Sequence, residues 1–265
     1  MEGDRVTYVG HATALLEVGG KRLLTDLVLR SSLVFGGARR HVPDPPAEVA
    51  QEIDAVLISH PHADHLDFPS LRRIGRDVPV FAPPGTARLL RRRGYSAVTE
   101  LAPGATAQVG DVRVTATRAA HNGHRWKVGR GNAVAVGYVI EGGGRRVYFT
   151  GDTDLFAGMA AWAGGLDAAL LPISGWGSSV GRGHLDPRRA AEAAAMLRPR
   201  LAIPIHWGTL LRIDLSARAD EMLEPPAREF VAQMARRAPG VKPAVLSPGE
   251  AVGLSLGESA GLPAS

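Results

Sequence analysis

Asp54-Ala55-Val56-Leu57-Ile58-Ser59-His60-Pro61-His62-Ala63-Asp64-His65 runs from an apolar segment into a loop crowded with imidazole and carboxylate. The run 54–58 is short and rich in branched side chains, the pattern of a strand buried within a sheet. Three imidazoles and one carboxylate then fall between His60 and His65. Buried without partners, such groups would cost several kcal/mol. A metal ion removes that cost, because each imidazole nitrogen and carboxylate oxygen becomes a ligand. A solvated histidine-rich turn is the competing account, and the rest of the chain decides between them.

Upstream, Arg5–Val9, Ala14–Val18 and Lys21–Asp26 read as strands, and Gly19-Gly20 between the last two is a hairpin signal. His11 follows the first strand and Asp26 closes the third. By spacing alone His11 reads as a core histidine, with a site residue as the alternative, and Asp26 either caps a turn or orients a ligand histidine. Residues 27–52 read as irregular, punctuated by glycine and proline.

Downstream, the pattern predicts a helix after Asp67 through Leu71, a strand at Pro79–Ala82 and a helix from Thr86 to Arg93 ended by Gly94. Val109–Ala119, Ala133–Glu141 and Arg145–Phe149 read as strands, with a helical stretch at Leu155–Trp162. Asp167–Pro172 reads as a buried strand. Asp186 is a credible N-cap with Pro187 at the first helical position of a helix reaching Leu197. Leu201–Ile205 is a further strand, Pro226–Arg237 an amphipathic helix, and Ala244–Leu246 a candidate last strand. No repeat or linker interrupts this order. A single domain over 1–265 is expected, two packed sheets covered by helices, with 256–265 a frayed tail.

Composition narrows the chemistry. The chain has 265 residues, 45% hydrophobic and 22% charged, enough for a large core. It has no cysteine, which excludes thiolate metal sites, disulfides and a cysteine nucleophile, and leaves histidine and aspartate as ligands. No signal-like apolar core follows Met1 and no apolar run spans a bilayer, so a cytoplasmic protein is expected. The net charge is +5 with a pI near 10.0. Clusters such as Arg91-Arg92-Arg93 read as solvated helix faces, and no aromatic-interleaved basic stretch points to specific nucleic-acid binding.

Four further metal-competent positions stand just after strand-like runs: His121 or His124, Asp152, His184 and His206. Strand ends on one edge of a sheet are where loops converge into sites. Five imidazoles and two carboxylates suit a pair of borderline divalent ions with one carboxylate between them.

With these residues in place, the sequence resembles the metallo-β-lactamase superfamily. Its H-x-H-x-D-H signature stands here as His60, His62, Asp64 and His65, and its later single His, Asp and His match His121, Asp152 and His206. Within it, Gly10-His11-Ala12-Thr13, Leu24-Thr25-Asp26, the Arg39-Arg40 loop, His184-Leu185-Asp186-Pro187 and His206-Trp207-Gly208-Thr209 resemble the branch containing N-acyl-phosphatidylethanolamine-hydrolysing phospholipase D. The ascorbate-6-phosphate lactonase branch shares several of these features. Leu27 stands where relatives usually carry proline.

The resemblance implies an α/β fold, a four-layered αββα sandwich. It implies His60, His62 and His121 around one metal, Asp64, His65 and His206 around the other, and Asp152 between them. The metals would be zinc, with manganese or iron compatible. Two such ions lower the pKa of a shared water, so a metal-bridged hydroxide would attack the electrophile. Asp64 would orient it, and Asp26 and His11 would orient the ligands from behind. His184 would donate a proton or hydrogen bond, or else simply begin a helix. A small phosphodiester is the expected substrate, and Arg39, Arg40 and Arg125 are candidates for an anionic group on it. A carbonyl ester or lactone is the alternative on the same site, and a non-catalytic metal- or nucleic-acid-binding protein the alternative of another class. Oligomeric state is not readable.

Overall fold

The computed structural model describes residues 3–33, 37–123, 134–175 and 180–255. Its first half carries β1 (Arg5–Gly10), β2 (Thr13–Val18), β3 (Lys21–Thr25), β4 (Ser32–Leu33), β5 (Ala38–Arg40), β6 (Ala55–Leu57), α1 (Phe68–Ile74), β7 (Val80–Ala82), α2 (Ala87–Arg91) and β8 (Val98–Glu100). Its second half carries β9 (Thr106–Val109), β10 (Val112–Asn122), β11 (Val134–Gly142), β12 (Arg145–Phe149), β13 (Ala168–Pro172), α3 (Pro187–Leu197), β14 (Leu201–Ile205), β15 (Leu210–Arg212), α4 (Ala219–Met222), α5 (Pro225–Arg237), β16 (Lys242–Pro243) and β17 (Ala251–Gly253).

Two seven-stranded mixed sheets result, in the orders β17-β1-β2-β3-β6-β7-β8 and β16-β14-β13-β12-β11-β10-β9. Each joins an antiparallel meander to a parallel run. Period-two burial shows how they stack. Leu23, Ala55, Leu57, Ala168, Leu170 and Ile203 turn into one apolar layer shared by both sheets. Their neighbours turn the other way: Leu24, Val56 and Ile58 meet Phe68, Leu71 and Leu90 of α1 and α2. Ala169, Leu171 and Ala202 meet Ala190, Ala194 and Leu197 of α3 and Phe230 and Met234 of α5. Helix, sheet, sheet and helix therefore form the four layers of an αββα sandwich.

The helix starts follow the sequence. Asp67 accepts from the Ser70 N–H and Asp186 from the Arg189 N–H, each with proline in the first helical turn. Four buried alanines on α3 leave a smooth face against which α5 packs.

Some expectations fail at short elements. Ala244–Leu246 is not a strand; β16 ends at Pro243, and β17 returns to pair with β1. The stretch 27–52 is not wholly irregular, since β4 and β5 join β15 in a three-stranded sheet. Strands of two and three residues carry too few positions to show a period. Leu155–Trp162 contains a 3₁₀ helix at Ala157–Trp162 rather than an α-helix. No described helix is long and apolar enough to cross a membrane. The tail 256–265 lies outside the described residues.

Candidate metal centre

In the first sheet β1, β3 and β6 point the same way, and in the second so do β10, β12, β13 and β14. Their final residues or exits carry His11, Asp26, His60, His121, Asp152, Ser174 and His206, at one end of the sandwich. Three of these residues sit in the left-handed backbone region: His11 at φ 55°, Asp26 at 30° and His206 at 61°. Such conformations cost about 1–3 kcal/mol each and persist where the surroundings demand them. Here they turn the chain sharply as it leaves the strand. Gly151 serves the same bend at φ 58°, and a Cβ there would stand 2.5 Å from the Ser59 Cβ. Only glycine lets the exits of β6 and β12 approach so closely. Leu27 is fully buried and bridges to Leu66 in a parallel pairing.

The site nitrogens and oxygens fall into two groups. His60 Nε2 lies 2.8 Å from His62 Nδ1, and His121 Nε2 lies 3.4 Å from the same atom. Asp64 Oδ2 lies 2.9 Å from His11 Nε2 and 3.4 Å from both His65 Nε2 and His206 Nε2. Asp152 Oδ2 stands between them, 3.2 Å from His65 Nε2, 3.4 Å from His206 Nε2 and 3.9 Å from His60 Nε2. His184 Nε2 is 3.3 Å from that oxygen, and its side chain is a quarter exposed. All seven sequence-predicted ligands and His184 are thus together. His124 and Arg125 lie outside the described residues, as does the Arg39 side chain. Arg40 is buried away from this cluster, donating to the carbonyls of Val9 and Pro43.

The remaining ring nitrogens are anchored. His121 Nδ1 donates to the Gly183 carbonyl at 2.8 Å and His206 Nδ1 to the Ser174 carbonyl at 2.7 Å. A carbonyl only accepts, so both rings carry hydrogen on Nδ1 and turn an Nε2 lone pair inward. Asp26 does this for two more. Its Oδ2 accepts from His65 Nδ1 at 2.6 Å and from the Ser59 hydroxyl at 2.5 Å. That hydroxyl, its proton committed to the carboxylate, accepts from His60 Nδ1 at 2.9 Å.

Burial and proximity set the charges. Burial, with the neighbouring His206, brings His11 down to about 3, and burial brings His121 down to about 4. Burial and the adjoining rings of His65, His121 and His62 hold His60 well below its usual range. Burial would raise Asp64 and Asp152, yet the surrounding imidazoles outweigh it and hold both carboxyls well below the ordinary range. His65 moves the other way: burial opposes its charge, but Asp152, Asp64 and Asp26 raise it well above the ordinary value. Burial raises Asp26, against the pull of His65 and Ser59.

This cluster fits divalent cations. His65 Nε2, His206 Nε2 and Asp152 Oδ1 are buried and have no hydrogen-bond partner among the described residues. Buried polar atoms left this way are costly, and a cation among them would use all three. Imidazole and carboxylate are the donor set of zinc, manganese and iron alike. His11 is the residue that spacing alone underrated. Its signal was present, a histidine directly after an apolar strand, as at His121 and His206. The Ser174 and Gly183 carbonyls carry no side-chain signal at all.

The family model described as the beta-lactamase superfamily domain matches residues 21–207. A UPF0173 metal-dependent hydrolase of Opitutus terrae is 34% identical over 254 residues, covering 94% of this chain and 99% of that protein. The N-acyl-phosphatidylethanolamine-hydrolyzing phospholipase D 1 of Caenorhabditis elegans is 31% identical over 225 residues, covering 77% of this chain and 63% of that protein. The chain likewise spans 58% of the length of mycobacterial relatives that are 33% identical to it. Igni18, a metallo hydrolase of Ignicoccus hospitalis, shares the fold at a TM-score of 0.69 and 24% identity, covering 95% of this chain and 98% of that one. The chain belongs to the metallo-β-lactamase superfamily.

Proposed function

We propose that this chain is a metal-dependent hydrolase that cleaves phosphodiesters at a two-metal site. The observation that carries the reading is Asp152 Oδ2 standing between the His60–His62–His121 group and the Asp64–His65–His206 group, with His184 beside it. His60, His62 and His121 would hold one ion, Asp64, His65 and His206 the other, and Asp152 both. Zinc suits the predominance of imidazole. Bound there, the ions supply Lewis acidity and lower the pKa of a water toward neutrality.

The chain's own groups do the rest. Asp64 is held ionised by its neighbours and orients the nucleophile by accepting its hydrogen bond. His184 is held by Asp152 at 3.3 Å, and that carboxylate raises its basicity against the effect of burial. A ring so placed is protonated more readily than a free imidazole. Partly open to solvent, it donates that proton to the departing oxygen. The whole chain acts as one domain. The worm phospholipase D, named for hydrolysing a phosphodiester lipid, supports that bond type over a carbonyl ester.

The test is hydrolysis of bis-p-nitrophenyl phosphate and of a simple lactone by protein of measured metal content. About two metals per chain with chelator-sensitive diester cleavage is the expected result. Lactone cleavage without diester cleavage would overturn the choice of bond. Neither activity after metal addition would overturn the site reading.

A further inference from the structure

His11 stands outside the proposed ligand set, yet the fold goes to some length to place it. It follows Gly10, whose own φ is 131°, and adopts a left-handed backbone itself. A side chain on Gly10 would meet the Thr209 methyl at 2.9 Å and the Arg40 guanidinium at 3.0 Å. Arg40 fastens the same turn from the outer side by donating to the Val9 carbonyl at 2.9 Å. The His11 carbonyl in turn accepts from the His206 N–H at 2.7 Å, and the two rings stand 3.8 Å apart between centroids. The outcome is one contact: His11 Nε2 meets Asp64 Oδ2 at 2.9 Å, with His11 1% exposed.

We propose that His11 is a positioning residue that donates its Nε2 hydrogen to Asp64 Oδ2, fixing the carboxylate's rotation and thereby the second metal position. The inference rests on the two-metal reading given above. The terminal bond of an aspartate is a broad and soft torsion. An aspartate that must serve one ion while standing among the His11, His65 and His206 rings gains from having one oxygen tied down. With an ion in place His65 and His206 would turn Nε2 lone pairs to it, their Nδ1 hydrogens being committed to Asp26 and the Ser174 carbonyl, and neither could donate to Asp64. His11 is therefore the donor available to that oxygen among the rings around it. It also joins Asp64, His65 and His206 in a four-residue group whose ligand atoms lie within 4.8 Å of one another. Direct ligation by His11 is accordingly the rival that the test must exclude.

Two substitutions separate the roles. Gln in His11→Gln keeps an N–H donor near the reach of Nε2 but is a poor ligand for zinc. Leu in His11→Leu keeps bulk and removes the donor. Thermal denaturation of each variant controls for the strained turn. The readouts are metal content, affinity for the weaker ion by chelator competition, and the visible absorption of the cobalt-substituted protein. Loss of a hydrogen bond behind a ligand typically weakens metal affinity about 10–100-fold. His11→Leu should lose affinity for one ion on that scale and shift the cobalt bands, while the ion of the His60 group stays. His11→Gln should restore both affinity and bands toward wild type. Wild-type affinity and spectrum in His11→Leu would overturn the proposal. So would a His11→Gln protein as deficient as His11→Leu, which would mark the ring as a ligand. Wild-type protein binding no second ion would instead overturn the two-metal reading, which the same titration reports separately.

Discussion

Asp26 Oδ2 lies 2.6 Å from His65 Nδ1, and the same oxygen takes the Ser59 hydroxyl at 2.5 Å while Oδ1 takes the Ser59 backbone N–H. One carboxylate, reached from the end of β3, thus sets the proton positions of two rings in the neighbouring strand's loop. Asp26→Asn preserves shape and tolerates the left-handed backbone, but an amide cannot accept at both positions. Metal affinity should fall about 10–100-fold with the fold retained. Unchanged affinity by competition with a chelator would show that the ring tautomers do not depend on Asp26.

Removing a candidate ligand should act on metal content as well as rate. His62→Ala should release one ion, and Asp152→Ala should weaken both, each abolishing activity. Metal analysis beside turnover checks this. Full activity in either variant would sink the assignment of that residue.

His184 should separate from the ligands. His184→Gln should keep full metal content and lose activity by about 10²–10⁴, the usual scale for a proton donor. The loss should shrink for a substrate whose leaving group needs no protonation. Equal losses on good and poor leaving groups would leave His184 as a binding residue only.

Stability of the metal-free protein should fall in acid, beginning near neutrality. His11 and His121 titrate at about 3 and about 4 in the fold against an ordinary 6.5. Between those values and 6.5 the unfolded chain binds protons that the folded chain refuses, so each step down in pH favours unfolding. Asp64 and Asp152, held low, lose their contribution only at still lower pH. His65, held high, acts oppositely: its contribution is present in acid and disappears as pH rises through its raised folded value. Urea midpoints of chelated protein at pH 7.0, 5.5 and 4.5 measure the balance, and a flat series would contradict the neutral burial of His11 and His121.

Gly151→Ala should destabilise the protein without touching a ligand. The left-handed backbone costs an alanine about 1–2 kcal/mol, and its methyl would stand 2.5 Å from the Ser59 Cβ. Equilibrium denaturation gives the value, and a loss below about 1 kcal/mol would mean that the two loops can part freely.

The candidate ligand cluster was legible because His60, His121, Asp152 and His206 each stand at or just past the end of a run that reads as a strand. The runs before His60, Asp152 and His206 could be read as buried strands, and the residues after them had no cheaper explanation than a shared ion. Two packed sheets under helices were legible from the same runs, and the four-layered order came from the family resemblance. His11 was underrated because a single buried histidine is common and its Asp64 contact spans 53 positions in sequence. The sheet of β4, β5 and β15 was missed because strands of two or three residues carry no period. The anchoring carbonyls of Ser174 and Gly183 belong to every residue type alike and leave no mark in a sequence.

The division of the site between the sheets makes the sandwich a calliper. His11, Asp26 and His60–His65 stand on one jaw, and His121, Asp152 and His206 on the other, with Leu57, Phe149, Leu170 and Ile203 filling the gap behind them. The spacing of the jaws is the thickness of that filling. Thinning or thickening it by a few methyl groups, well away from every ligand, would change how far apart the two sets of donors stand and so which ions, and which bonds, the tool can grip.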